Sequence, residues 1–457
     1  MPTNECDVAV IGAGIVGIAV AYYLKKSSPT TVVVLIDSHP PMGLTSAKSG
    51  ENYRNWWPHP VMRRFTDRSI DLMEQLSRET ENRLNMTRRG YVLATRATDI
   101  NALLQELEYG YGEGFADEIR FHSKPGTKTY ILPLDETWER APNGVDILQG
   151  RRMITDSLPW YADDITAVIH IRRAGRIDGH QMGQVMLERF LGAGGLLLKG
   201  EVAGIQSTKG FSLDIRTADN RPDDLKASQI INAAGPFLNR IAEMVGTELP
   251  VTNVLQQKIA FEDTKGVISR KMPFSIDLDA QHMDWTKEER KYLLEDSDHA
   301  WVAREMPGAI HCRPEGGDNG KWVKLGWAYN NVSSAPVRAP VLDKQFPEIA
   351  LRGAARLNPN LKAYYGYLPQ KQVHYGGFYN LTEENWPLIG PSEVEGFFVV
   401  GAMSGFGTMA ACAAGELCAK WVLGETMSED TVALSPRRYN DAPLMDELRA
   451  QSSRGIL

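Results

Sequence analysis

Cysteine is scarce in this chain: four residues in 457, Cys6, Cys312, Cys412 and Cys418. Their number and scatter exclude a disulfide framework and a structural zinc site. Cys412 and Cys418 fall in an Ala-rich helical pattern and read as small core residues. Unpaired thiols point to a reducing compartment. Met1–Asp7 lacks the basic and apolar regions of a secretory signal, so a cytoplasmic location is expected. Positive charge is not concentrated: 50 Lys and Arg stand against 57 Asp and Glu, a net of −7, and the Arg pairs are dispersed. That distribution excludes a nucleic-acid-binding face. No HExxH pattern or Ser-His-Asp arrangement is present, so neither a metal nor triad hydrolysis is expected. Internal repeats and low-complexity segments are also missing.

Long uninterrupted apolar runs are missing too, although two stretches approach the ~20 residues of a membrane span. Val8–Leu24 carries no charge over 17 residues, and Gly396–Gly415 none over 20. Glycines break both, and both open on a β-branched or aromatic run, VAVI or FFVV. Each therefore reads as a buried strand turning into a helix, and no membrane span is expected.

Glycine is what the chain has in excess, 41 residues or about 9% against a typical ~7%. Its first cluster lies in DVAVIGAGIVGIAVAYYLKKSSPTTVVVLID, residues 7–37. An apolar strand runs into Gly12-x-Gly14-x-x-Gly17, then a helical pattern, then a second strand ending at Asp37. This is a complete dinucleotide-binding unit. Gly12 permits the tight turn, Gly14 a close approach to a pyrophosphate, and Gly17 helix–strand packing. The helix N-terminus offers free N–H groups to the phosphates. Asp37 is placed to accept hydrogen bonds from the adenosine ribose. NAD and FAD share this unit. The sequence after Asp37 departs from further βα repeats into SHPPMGLTSAKSGENYRNWWPHP, a loop rich in Gly, Ser and aromatic residues.

An amphipathic helix is predicted over 61–81 and a strand over 88–95. Residues 96–170 mix helical and irregular patterns, with turn signals at Pro125-Gly126 and Pro142-Asn143-Gly144. A helix is expected near 180–191, a strand–turn–strand at 194–206, and a buried strand in SQIINAAG. Residues 251–375 alternate as strands around a charged helix near 286–296. FFVVGAMSGFGTMAACAAGELCAKWVLG reads as strand, glycine turn and long helix. From Glu425 onward a polar, peripheral tail is expected. The chain is long enough for two or three domains at ~150 residues each. Nucleotide-binding pieces at both ends bracket a strand-rich middle, so both domains are expected to be discontinuous. A Rossmann-like α/β domain would take 1–90, 172–250 and 376–430. A largely antiparallel-sheet substrate domain would take 91–171 and 251–375, leaving 431–457 as tail.

The motifs GAGIVGIAVAYYL with Asp37, TSAKSG, SQIINAAGPF, KLGW, GGFYNLTEENWPLIGP and GAMSGFGTMAACAAGE resemble the D-amino-acid oxidase superfamily of FAD-dependent amine and amino-acid oxidases. The sarcosine oxidase and glycine oxidase branch is the nearest, and the similarity covers most of the chain. The resemblance implies that Gly12, Ala13, Gly14, Ile15, Val16 and Gly17 bind FAD pyrophosphate, with Asp37 and Ser38 at the adenosine. Ser46, Ala47 and Lys48 would line the cofactor, Val202 would meet the adenine, and Ala234-Gly235 would pass over it. Gly401, Met403, Gly405, Phe406, Gly407, Thr408 and Met409 would face the isoalloxazine. There a helix N-terminus would stabilise negative charge on the reduced flavin.

Lys324 in KLGW resembles the lysine that promotes reaction with oxygen in that branch. A cation ~4 Å from the developing charge is worth about 4 kcal/mol at an effective ε of ~20. Two departures stand out. Gly377 replaces the cysteine that attaches FAD covalently, so dissociable FAD is expected. Met409 replaces the lysine that clamps a substrate carboxylate, which leaves Arg54 as a guanidinium fork. His311 is the third candidate catalytic residue, and it shares strand parity with Arg313. Lys258, Arg313, Trp327, Tyr329, His374 and Tyr375 are further candidates to line the pocket. Trp56 and Trp57 read as loop packing. The implied reaction is hydride removal from the carbon next to nitrogen of a small amine or amino acid, with O2 as acceptor and peroxide as product. The alternatives are a dehydrogenase passing electrons to a quinone or carrier protein, and a non-enzymatic binding protein. Substrate identity and oligomeric state are not legible.

Overall fold

Buried parallel strands need apolar side chains on both faces, and VAVI and VVVLI supply them. In the computed structural model, which describes residues 4–112, 115–123, 130–133, 138–217 and 222–450, these runs form the centre of a seven-stranded sheet. The Pro125-Gly126 turn and residues 451–457 lie outside the described residues. Strand Glu5–Ile11 pairs in parallel with Val33–Asp37 on one side and with Pro222–Asn232 on the other. Phe397–Gly401 extends the parallel set beyond Asn232, and antiparallel Leu388–Pro391 closes that edge. Helices Ile15–Ser27 and Gly407–Val422 cover one face. Both charge-free stretches thus resolve into strand, turn and helix.

The strand–turn–strand expected at 194–206 is instead one strand, Leu196–Thr208. It changes partner rather than direction: Leu196–Lys199 pair with Val34–Asp37, and from Gly200 onward it pairs with Gly210–Thr217. Its glycines mark the bend where the partner changes.

The second sheet has nine strands in the order Gln372–Leu381, Thr252–Glu262, Trp322–Gly326, Ile310–Glu315, Phe274–Asp277, Tyr91–Thr95, Ala167–Ile171, Val145–Gln149 and Ile119–His122. All its pairings are antiparallel except Phe274–Asp277 with Tyr91–Thr95 and Ile119–His122 with Val145–Gln149. Strand Gln372–Leu381 spans the division drawn at 375/376 and pairs along its length within this sheet. The expected helices stand at Pro60–Glu79, Gly179–Gly192 and Lys287–Glu295, the last with a Thr286/Glu289 capping box.

The segment after Glu425 is not a peripheral tail. Helices Asp430–Leu434 and Ala442–Ala450 dock Leu434 and Leu448 into the main core. Arg438 is fully buried between them, paired with Glu384 and donating to the Pro387 carbonyl at 2.6 Å. A buried guanidinium needs such partners.

The two helices over the parallel sheet cross at Gly415, where a Cβ would lie 2.6 Å from the Ala19 carbonyl carbon. Gly415→Val should therefore lower unfolding free energy by roughly 3 kcal/mol in urea titrations, because backbone cannot yield as a side chain can. Gly192→Ala, where nothing lies within 4 Å, should be neutral or gain about 0.5 kcal/mol.

Candidate active site

The first strand ends at Gly12 with φ +109, and a Cβ there would sit 2.4 Å from the Ala233 carbonyl oxygen. Only bare backbone fits this crossing. Just beyond it, Ala13 N–H donates to Asp37 Oδ2 at 2.7 Å and Ile15 N–H to Ser46 Oγ at 2.9 Å. The helix cap, Gly14, carries no capping side chain, so the helix N-terminus is open to an anion. Gly17 is buried behind it, packed on the Gly12 carbonyl. A cavity begins at Asp37, Ser38 and Val202 and passes Ala13, Gly14, Ala234 and Gly235. Arg338, from a loop of the strand-rich half, donates to Ser38 Oγ at 3.0 Å and lines the same end.

A second cavity shares Gly14, Ser46, Ala233 and Gly235 with the first, so the two form one trough. It runs past Ile15, Val16 and Lys48 to Gly401, Met403, Gly405, Gly407 and Thr408. The turn there holds Ala402 at φ +55 and Ser404 at φ +40, a left-handed conformation that strains non-glycine residues. Ser404 N–H to the Asn380 carbonyl (3.0 Å) and Phe406 N–H to the Met403 carbonyl (2.7 Å) hold it in place. The helix Gly407–Val422 thereby opens its positive end on the trough. Thr45 and Ser404 hydroxyls at these walls are buried with no hydrogen-bond partner among the described residues. Ala47 is exposed and lines neither cavity.

A third cavity opens off the trough at Ser49, Gly50, Lys258, Tyr379, Gly405 and Thr408. Arg54, Tyr91, Phe274, His311, Phe406 and Met409 line it. Arg54 is 1% exposed and donates through Nη1 to Tyr91 Oη at 3.1 Å. Its Nε and Nη2 are buried and have no hydrogen-bond partner among the described residues. Trp56, Trp57 and Tyr91 pack around the guanidinium at 5.0–5.5 Å, so both tryptophans serve as walls for this cation. Met409 contributes sulfur, which accepts the Arg54 N–H.

The cross-strand register puts Tyr375, Lys258, Gly326, His311, Lys324 and Arg313 on one face. Gly326 leaves room for the His311 ring: a Cβ there would lie 2.2 Å from Nε2. Burial first, and then Lys258, Arg313 and Lys324, lower the His311 pKa to about 3, so the imidazole is neutral at physiological pH. Lys324 does not line the trough. Its Nζ lies 3.4 Å from Glu315 and 3.8 Å from Glu51, and Arg313 shares both acids. Burial and Arg313 still lower Lys324 to about 8. Trp327, Tyr329 and His374 point the other way. Trp327 donates to the Pro307 and Gly308 carbonyls, Tyr329 packs near Phe346, and His374 stacks on Phe346. His374 has the strand parity opposite to that of the site, and Trp327 and Tyr329 lie beyond the end of strand Trp322–Gly326.

The sequence of this chain from residue 7 to 421 matches the model of the FAD dependent oxidoreductase family, DAO. The chain belongs to this family. FAD is its cofactor, and the trough fits it: bare backbone at Gly12, two open helix N-termini, Asp37 at one end and orphaned hydroxyls along the wall. Human mitochondrial dimethylglycine dehydrogenase is 22% identical over 452 residues, 95% of this chain but 44% of that protein. The chain thus spans under half the length of this curated relative. L-proline dehydrogenase from P. horikoshii superposes with a TM-score of 0.70 at 18% identity, covering 95% of this chain and 98% of that one. Glycine oxidase from Geobacillus kaustophilus gives 0.69 at 16%, with the same coverage. Among the described residues, no helix is long and apolar enough to cross a membrane.

Arg338, Tyr379 and Tyr91 escaped the sequence reading. Tyr91 had a signal, the alternation of its strand; Arg338 had none, being a loop residue far from the motifs. Unfolded chains protonate His311 near 6.5, whereas the folded protein resists until about 3. Stability linked to His311 is therefore present above 6.5 and lost as pH falls towards 3. Between pH 7 and 5, urea unfolding of His311→Gln should lose up to about 2 kcal/mol less than wild type.

Proposed function

We propose that this flavoenzyme oxidises an amino acid or N-substituted amine at the carbon next to nitrogen, holding a substrate carboxylate on Arg54. The observation that carries this reading is the buried guanidinium whose Nε and Nη2 have no hydrogen-bond partner among the described residues, in a cavity that opens off the trough. Leaving such donors unpaired costs several kcal/mol, and a bidentate carboxylate is their natural complement. Bound FAD supplies the hydride acceptor. The protein's part is to orient the substrate: Arg54 fixes the carboxylate, and Tyr91, Phe274 and Met409 wall the cavity and exclude water. Neutral His311 offers a hydrogen bond to the amine without repelling it as a cation would. The product imine hydrolyses after release. We read FAD as dissociable, since Gly377 stands beside Lys48 with no side chain to attach it.

Dioxygen is the proposed acceptor. The cations Lys258 and Lys324 on this face favour the negative charge that oxygen gains on reduction. One observation favours a second reading. Glu51 and Glu315 engage Lys324, and the curated relatives are named dehydrogenases, so electrons could pass instead to a carrier.

Anaerobic mixing with a panel of N-alkyl amino acids, D- and L-amino acids and plain amines should bleach the flavin with at least one carboxylate-bearing amine. No bleaching by any amine would end this reading. Arg54→Met should raise KM for that substrate 10²- to 10³-fold with FAD content retained. Equimolar peroxide in air supports the oxidase; turnover only with an artificial electron carrier supports the dehydrogenase.

A further inference from the structure

Charge around the site does not balance. Four cations stand there, Arg54, Lys258, Arg313 and Lys324, against two acids, Glu51 and Glu315. Both acids are engaged by Arg313 and Lys324. That leaves Lys258 as unsatisfied as Arg54. Lys258 is 6% exposed, its Nζ reaches Tyr379 alone, at a long 3.4 Å to Oη and 5.4 Å to the ring centroid, and it forms no ion pair among the described residues. A buried ammonium without a counter-charge is expensive unless a ligand provides one.

Lys258 lines both the trough and the cavity of Arg54, at their junction. Helix Gly407–Val422 already presents its positive end to the trough, so the flavin has a counter-pole of its own there. The cavity beyond contains Arg54 and Lys258 as its cations and Glu51 as its one acid among the residues that line it.

We propose that Lys258 is a second anion anchor and that the substrate is a dicarboxylic amine, with one carboxylate on Arg54 and the other on Lys258. This rests on the reading of Arg54 as the anchor of a substrate carboxylate. The two cations then select for a substrate bearing an acid at each end, and a plain amino acid leaves one of them uncompensated.

The test titrates the FAD-loaded protein with malonate, succinate and glutarate against propionate, butyrate and valerate, followed by perturbation of the oxidised flavin spectrum. One of the dicarboxylates should bind roughly 10- to 100-fold tighter than the monocarboxylate of equal chain length. Lys258→Met should bring that ratio to about 1, and Arg54→Met should weaken both series. Equal affinities in wild type, or a preference that survives in Lys258→Met, would overturn the proposal. A reduction potential shifted in Lys258→Met with the preference intact would do so as well, by assigning the lysine to the flavin. None of these titrations needs turnover, so their failure is distinct from a failure of amine oxidation, which shows as no bleaching by any amine.

Discussion

Two helices must begin at the carboxyl edge of one parallel sheet with nothing but backbone between them and the ligand. That constraint governs the rest of the molecule. The helix after Gly12 and the helix after Phe406 start on either side of the Asn232–Gly235 segment, from strands that flank it in the sheet. Their bodies stay close because Gly415 has no side chain against Ala19. Glycine at the first turn and left-handed Ala402 and Ser404 at the second keep both N-termini open. The positive ends of both helices therefore line one trough, which suits a dinucleotide with a pyrophosphate at one end and an electron-accepting ring at the other.

The nine-stranded sheet supplies what the trough does not, a face of alternating side chains. On that face the acids Glu51 and Glu315 hold Arg313 and Lys324 in a compact ion cluster. Among the described residues Arg54 and Lys258 remain without acids, and His311 remains neutral. A protein that buries cations without partners pays in stability for a complementary ligand, and this arrangement sets the site apart from the salt-bridged surface elsewhere. On the proposed reading, selectivity by charge follows from the pairing pattern more than from the shape of the cavity.

Local patterns were legible from the sequence and long-range ones were not. The Gly12–Gly17 fingerprint and the strand–turn–helix at Phe397–Val422 were visible because turn, strand and helix signals lie within a few residues of one another. The single strand Leu196–Thr208 was hidden because its glycines mark a change of partner, which only the neighbouring strands reveal. Trp327, Tyr329 and His374 were grouped with Lys258 and His311, although strand parity sends His374 to the opposite face and Trp327 and Tyr329 lie beyond the end of their strand. Arg438 and Glu384 are 54 residues apart, and no local periodicity announces such a pair. Lys324 was legible as a position but not as a member of an ion cluster, since Glu51 reaches it from a distant loop.

The claim on which the functional account turns is that Arg54 waits for a substrate carboxylate. A crystal structure of the FAD-loaded protein with bound propionate, an amino-acid analogue without a nitrogen to oxidise, tests it most directly. The account predicts both carboxylate oxygens on Arg54 Nε and Nη2, inside the cavity walled by Tyr91, Phe274 and Met409. Propionate bound elsewhere, with those two N–H groups still unpaired or turned to an acid of the protein, would contradict it.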